Sequence, residues 1–222
     1  MTYHLAGDST VAACRPEEHP MSGWGAHLAR HLQTPVRNLA FGGATTATFL
    51  AGPWDELLGE LRQGDTVLVQ FGHNDQKVLE LGARNGYTSN LRHMVERIQQ
   101  HGATAVLCTP CERRFFTGGA VEPTHGDYPN AVRDLAADMS TPLLDLTAFT
   151  TWLYEQAGPE DSAAYFTHLT PGTHAHWPEG LRDNTHFNET GAQAIAAFVA
   201  QGLRALERRG GDRPAKGSPH LA

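Results

Sequence analysis

Apolar residues fall into two patterns that alternate along this chain. Short continuous runs, clearest at Thr66–Phe71 and Ala103–Cys108, predict strands buried on both faces. Weaker runs at 2–6, 36–40 and 142–146 predict three more. Between them apolar residues recur at helical spacing: positions 24, 28 and 32, then Trp54, Leu57, Leu58 and Leu61, then Leu91, Met94, Val95 and Ile98 within Tyr87–Gln100. Shorter helices are expected over 45–50, 128–139 and 147–157, and a long one over 189–207 with Ala192, Ile195, Val199 and Leu203 facing inward. Proline and glycine mark 11–23 and 158–182 as loops. The tail 208–222, rich in charge, glycine and proline, is expected to be disordered.

Strands that alternate with helices predict an α/β fold: a central parallel sheet of about five strands with helices on both faces. Residues 1–207 are expected to form a single domain. Ligands of such sheets bind beyond the carboxyl ends of the strands. Ser9, Gly43, Asn74 and the stretch Cys108–Arg114 each follow a predicted strand, so all are expected at one edge.

Composition narrows the function. The formal charge of the 222 residues is −7, without Lys/Arg clusters, which argues against nucleic acid and anionic membrane as partners. No apolar run approaches the ~18 residues of a membrane span. The chain starts Met1-Thr2-Tyr3-His4 and enters a strand at once, so no signal peptide and a cytoplasmic location are expected. Three cysteines, Cys14, Cys108 and Cys111, fit a reducing compartment. Cys108-Thr109-Pro110-Cys111 has the spacing of a redox dithiol, but it ends a strand where such motifs open a helix, and packing is the better reading.

The chemistry-bearing residues sit in three stretches: Gly7-Asp8-Ser9-Thr10, Gly72-His73-Asn74-Asp75 and Asp183-Asn184-Thr185-His186. Acyl transfer needs an activated hydroxyl, a base and an orienter for that base. Ser9 can supply the hydroxyl. Asp183 precedes His186 by three positions, a spacing that in a turn lets the carboxylate accept the imidazole Nδ1–H and leaves Nε2 for Ser9. Asn74 and the backbone of Gly43, which no Cβ obstructs, are candidate oxyanion donors. Each stretch has a plainer reading: a turn or helix cap for Asp8–Thr10, a strand cap for Asn74, a flexible turn for Gly42-Gly43, a helix entry for Asp183–His186.

Taken together, Gly7-Asp8-Ser9-Thr10, Asn38-x-Ala40-x-Gly42-Gly43, Gly72-His73-Asn74-Asp75 and Asp183-x-x-His186 resemble, in order and separation, the four blocks of the SGNH (GDSL-like) hydrolases. Gln70-Phe71-Gly72-His73-Asn74-Asp75 and Asp183-Asn184-Thr185-His186-Phe187 look like the rhamnogalacturonan acetylesterase branch. The resemblance covers residues 5 to about 200. It implies a flavodoxin-like α/β/α sandwich and a serine esterase that removes acetyl groups from carbohydrate through an acyl-enzyme. It implies Ser9, Asp183 and His186 as the triad, and the Ser9 N–H, the Gly43 N–H and Asn74 as the oxyanion hole. It implies neither cofactor nor metal. One departure stands out: relatives in this branch follow the second glycine with Arg and Ser, where this chain has Ala44 and Thr45.

The expected substrate is a small-molecule or oligosaccharide acetyl ester. Segments 8–23, 42–46, 72–77 and 168–187 are mostly small or polar, which suits a short acyl group. An esterase or thioesterase acting on other small acyl esters is the nearest alternative. His168, His174, His176 and His186 raise a rival, a zinc hydrolase, though the His-Glu-x-x-His spacing is absent. A catalytically silent carbohydrate-binding module is disfavoured because every triad position is filled. Arg113, Arg114 and Trp177 are candidate sugar contacts, and Asp127 is the expected cap of the helix over 128–139. The sequence assigns no oligomeric state.

Overall fold

The computed structural model describes residues 1–211, and side chains through residue 208. Five parallel strands form its central sheet: β1 (Tyr3–Gly7), β2 (Val36–Asn38), β3 (Thr66–Gln70), β4 (Thr104–Cys108) and, after a short hairpin of β5 (Phe116–Thr117) and β6 (Ala120–Val121), β7 (Leu143–Leu144). Their order across the sheet is β2-β1-β3-β4-β7. Tyr3 pairs with Val36 on one side and Thr66 on the other, and Thr66 pairs with Thr104. The order of strands reverses at β1, so β1 and its neighbours open the crevice where such sheets bind ligands.

Strand period two sorts the core into two halves. Tyr3, Leu5, Leu68, Val106 and Cys108 face α5 (Leu146–Asp161) and α6 (Glu189–Gly211), where they meet Tyr154, Ala192, Ile195 and Val199. Ala6, Val67, Val69, Ala105 and Leu107 face the opposite layer. That layer comprises α1 (Thr46–Ala51), α2 (Trp54–Glu60), α3 (Gly86–Gln100) and α4 (Tyr128–Asp138), contributing Phe49, Leu57, Leu91, Met94 and Leu135. Both faces of the sheet are therefore covered, which is why its strands read as continuous apolar runs. Fully burying each such Leu or Phe is worth about 1.5–3 kcal/mol.

Three expectations are corrected. Trp24–Leu32 forms two short 3₁₀ turns, Trp24–Ala26 and Leu28–Arg30, in place of one α-helix. The Gly25 N–H is drawn to the Val11 carbonyl, so the backbone ties to the Ser9 loop and not to its own preceding turn. The stretch 158–182 is not all loop. It holds β8 (Phe166–Leu169), which pairs antiparallel with β9 (Leu181–Phe187). Asp183–His186 thus lies on a strand and not at a helix entry. The hairpin closes through Gly180, whose φ of +78° and tight approach to the Leu169 carbonyl exclude a side chain. Finally, α6 runs on to Gly211, past the expected end at 207. The remainder of the predicted tail, 212–222, lies outside the described residues.

Candidate active site

Ser9 follows β1 in a turn built by its neighbour. The Asp8 carboxylate oxygen Oδ1 accepts from the Thr10 N–H (2.9 Å) and the Thr10 hydroxyl (2.8 Å), and the Asp8 carbonyl accepts from the Val11 and Ala12 N–H groups. Gln70, at the end of β3, donates to Thr10 Oγ1 and accepts from Trp24 Nε1, which pins the loop to the sheet. Ser9 Oγ is left facing outward, 3.0 Å from His186 Nε2.

His186 and Asp183 reach Ser9 from a bulge. Between the pairs Phe166–Phe187 and His168–Arg182 the ladder loses register, and β9 carries the surplus residues. The loop is closed by Asp183 itself, whose Oδ1 accepts from the N–H groups of Thr185 (2.7 Å) and His186 (2.8 Å). Its Oδ2 lies 2.7 Å from His186 Nδ1. Burial would raise the Asp183 carboxyl, but the His186 ring and the two N–H donors outweigh it and hold it below the ordinary carboxylate range. The hydrogen bond to Asp183 raises His186 above its ordinary value, against the opposing effect of burial.

Ser9 and Gly43 both line one cleft. Among the described residues neither the Ser9 nor the Gly43 N–H donates to a protein acceptor. Gly43 has φ of +77°, while an added Cβ would meet nothing within 4 Å, so backbone conformation and not crowding selects glycine there. The Asn74 amide is oriented from both ends: Nδ2 donates to the Ala44 carbonyl (3.0 Å), and Oδ1 accepts from Lys77 Nζ (2.9 Å). The second Nδ2 hydrogen has no acceptor among the described residues. Asp75 anchors this loop to α1 by accepting from the N–H (2.8 Å) and hydroxyl (2.7 Å) of Thr46. Ala44 is buried and Thr45 caps α1 by accepting from the Thr48 N–H, so both positions serve the packing of α1.

Ser9, Gly43 and His186 border a cleft of about 460 Å³. Its walls come from Ala12–Arg15, Glu18 and Met21 on one side and Ala40–Gly42 on the other. Met21 and Phe41 make it more apolar than expected; of residues 168–187 only His186 borders it, and none of 72–77, Asn74 included, does.

The other candidates have different fates. Arg113 turns inward and donates to the carbonyls of His73 (3.3 Å) and Thr124 (3.4 Å). Arg114 braces β9 by donating to Asn184 Oδ1 (3.1 Å). Asp127 stands at the N-cap of α4, but its carboxylate pairs with Arg84 instead of capping. Trp177 packs on His174, with ring centroids 5.0 Å apart. His168 bonds Asn184, and no group of three His, Cys, Asp or Glu side chains among the described residues has metal-binding geometry. Cys108 and Cys111 are buried free thiols, and burial raises both above the ordinary thiol range.

Sequence reasoning missed a cluster behind Ser9. His73 Nδ1 lies 3.3 Å from Asp8 Oδ2, and its ring packs edge-on against His125, with centroids 4.5 Å apart. Burial pushes His125 down to about 2, and its Nε2 is bonded to the Cys111 carbonyl (2.9 Å). His73 belonged to a motif already noted, which was the available signal.

Comparison with known proteins establishes the family and the fold. Residues 5–194 match the GDSL-like lipase/acylhydrolase family. The chain is 41% identical to the rhamnogalacturonan acetylesterase RhgT of Bacillus subtilis, over 91% of this chain and 89% of that one. It superposes with a TM-score of 0.78 on the crystal structure of the Bacillus subtilis protein YxiM, at 25% identity, covering 93% of this chain and 56% of that one. A catalytic mutant of an acetylxylan esterase from Geobacillus stearothermophilus shares the fold, with a TM-score of 0.65 at 16% identity over 91% of this chain and 93% of that one. No helix among the described residues is long and apolar enough to cross a membrane. The chain belongs to the GDSL-like lipase/acylhydrolase family, the SGNH hydrolases, and is a carboxylic ester hydrolase.

Proposed function

We propose that this esterase removes acetyl groups from acetylated pectic carbohydrate, rhamnogalacturonan or oligosaccharides of that kind, through an acyl-enzyme on Ser9. The observation that carries the chemistry is the hydrogen-bonded series Ser9 Oγ, His186 Nε2, His186 Nδ1, Asp183 Oδ2 at one border of the cleft. The carbohydrate class is supported by the likeness to a rhamnogalacturonan acetylesterase over most of both chains.

Ser9 Oγ attacks the acetyl carbonyl as His186 Nε2 takes its proton. Asp183 holds the imidazole in the tautomer that leaves Nε2 unprotonated, and it offsets the charge of the imidazolium that forms. The oxyanion is met by the Ser9 and Gly43 N–H groups and the free Nδ2 hydrogen of Asn74. Lys77 keeps the amide from turning over. As the tetrahedral intermediate collapses, His186 returns its proton to the departing sugar hydroxyl. Water then repeats the sequence on the acetyl-enzyme and frees acetate and Ser9.

The proposal takes residues 1–207 as one catalytic domain, since both core halves share one sheet. It also places the enzyme in the cytoplasm, which the three unpaired cysteines suit.

The test compares kcat/KM on acetylated pectic oligosaccharides, acetylated xylo-oligosaccharides and p-nitrophenyl acetate. Pectic oligosaccharides should be the best substrates, and Ser9→Ala should lower turnover on all three by about 10⁶. A preference for acetylated xylan would move the substrate assignment, and retention of several per cent activity in the Ser9 variant would remove Ser9 as nucleophile.

A further inference from the structure

The bulge that turns Asp183 and His186 toward Ser9 has another side. Arg182 and Asn184 line a separate cavity of about 470 Å³, together with Arg114, His168, Thr170 and Pro171. Two guanidinium groups and an imidazole border it and no carboxylate does, in a chain whose formal charge is −7. Such a volume holds a sugar residue or two.

The charges of this cavity are not spent within the protein. The Arg114 guanidinium is fixed by neutral acceptors: Ser162 Oγ (2.9 Å), Asn184 Oδ1 (3.1 Å) and the Pro159 carbonyl. Arg182 is exposed, and its side chain has no hydrogen-bond or ion-pair partner among the described residues. Asn184 Oδ1 accepts from Arg114, so His168 Nε2, 2.9 Å from the same oxygen, is the donor there, and His168 Nδ1 is left as an acceptor. A fixed cation, a free cation and a hydroxyl acceptor, beside the apolar edges of Leu169, Pro171 and Leu181, match a sugar that carries a carboxylate.

We propose that this cavity binds the carboxylate of a uronate residue in an acidic sugar chain, with Arg182 as the principal contact. The proposal rests on the pectic reading for its substrate class, and it adds a second site that shares no lining residue with the cleft. An acidic chain held there would raise the local concentration of acetyl esters at Ser9 without touching the reacting atoms. Neutral chains would gain nothing from it.

The full-length enzyme and its Arg182→Gln, Arg182→Glu and Arg182→Lys variants are titrated calorimetrically with unacetylated hexagalacturonate, galacturonic acid and xylohexaose. Hexagalacturonate should bind the wild type and xylohexaose should not. Affinity should fall at least fivefold in Arg182→Gln, vanish in Arg182→Glu, largely persist in Arg182→Lys, and weaken as NaCl is raised. In kinetics the readout is the ratio of kcat/KM on an acetylated pectic oligosaccharide to that on p-nitrophenyl acetate, so any disturbance of neighbouring Asp183 cancels. That ratio should fall through KM. Equal binding of hexagalacturonate by wild type and Arg182→Glu overturns the site, as does binding of the free monomer as tightly as the hexamer. If Arg182-dependent binding holds while acetylated xylan is the better substrate, the site stands and the pectic reading falls. If pectic substrates are preferred equally by wild type and Arg182→Glu, the pectic reading stands and the site falls.

Discussion

Two aspartate–histidine pairs meet around Ser9, and they are built differently. Asp183 and His186 stand on one bulge, aligned at 2.7 Å, with side chains 17% and 32% exposed. Asp8 and His73 come from loops after different strands, 3.3 Å apart without hydrogen-bond alignment, with side chains 0% and 4% exposed. The first pair has a ring nitrogen free to reach Ser9 and an opening through which substrate and protons pass. The second is sealed by the His125 ring and by the Thr10 hydrogen bonds that shape the Ser9 turn. The same residue types are thus placed for the proposed proton transfer in one place and for loop architecture in the other. What separates them is access and alignment, not composition.

The largest way to test this division is Asp183→Asn. It should lower kcat by about 10⁴, because an amide favours the wrong imidazole tautomer, while the melting temperature changes little. In the wild type, kcat/KM should fall on the acid side as His186 takes up a proton. The midpoint should lie above the ordinary histidine value of about 6.5, since the Asp183 hydrogen bond raises it. In Asp183→Asn the midpoint should move down. A wild-type midpoint below 6.5 would contradict the pairing.

Next in size is the proposed oxyanion donor. Asn74→Ala should cost about 10²–10³ in kcat with KM nearly constant, as expected of a donor that acts on the developing charge. A rise in KM at constant kcat would make Asn74 a substrate contact. Lys77→Met should cost less, about tenfold in kcat, because Ala44 still holds one end of the Asn74 amide. Lys77→Arg should recover most of it. Equal losses in both Lys77 variants would mean that Lys77 does not act through its hydrogen bond to Asn74.

The smallest effect on the chemistry, and the largest on stability, is expected from the buried pair. Asp8→Ala removes both acceptor bonds to Thr10 and leaves polar groups stranded in the core, a cost of roughly 2–4 kcal/mol. In a chain of this size that lowers the melting temperature by about 5–15 °C, from ~2–4 °C per kcal/mol. Asp8 also contributes to the raised value of His186, so the acid midpoint should shift, but less than in Asp183→Asn. Equal shifts would erase the distinction between the two pairs.

Much of this was legible beforehand, for local reasons. The five strands are continuous apolar runs because both sheet faces are covered, and the helices are amphipathic because each has one covered face. Ser9, Gly43 and Asn74 follow strands, so topology alone brought them to one edge. The failures share a cause. Trp24–Leu32 has helical spacing, yet bonds from Gly25 and Trp24 to the Ser9 loop override it. The β8–β9 hairpin is rich in Thr, His, Pro and Gly and carries no strand period, because its bulge breaks the alternation on which such a signal depends.

By itself, then, the sequence determined the layered α/β architecture and pointed to the residues proposed for ester hydrolysis, since periodicity and residue chemistry are local properties. Only the tertiary structure decided that Asp8 faces His73, and that Arg113 braces a loop while the Arg182 side chain has no partner among the described residues. Those outcomes depend on distances of a few ångströms between segments far apart in the chain, and no spacing along the sequence encodes them.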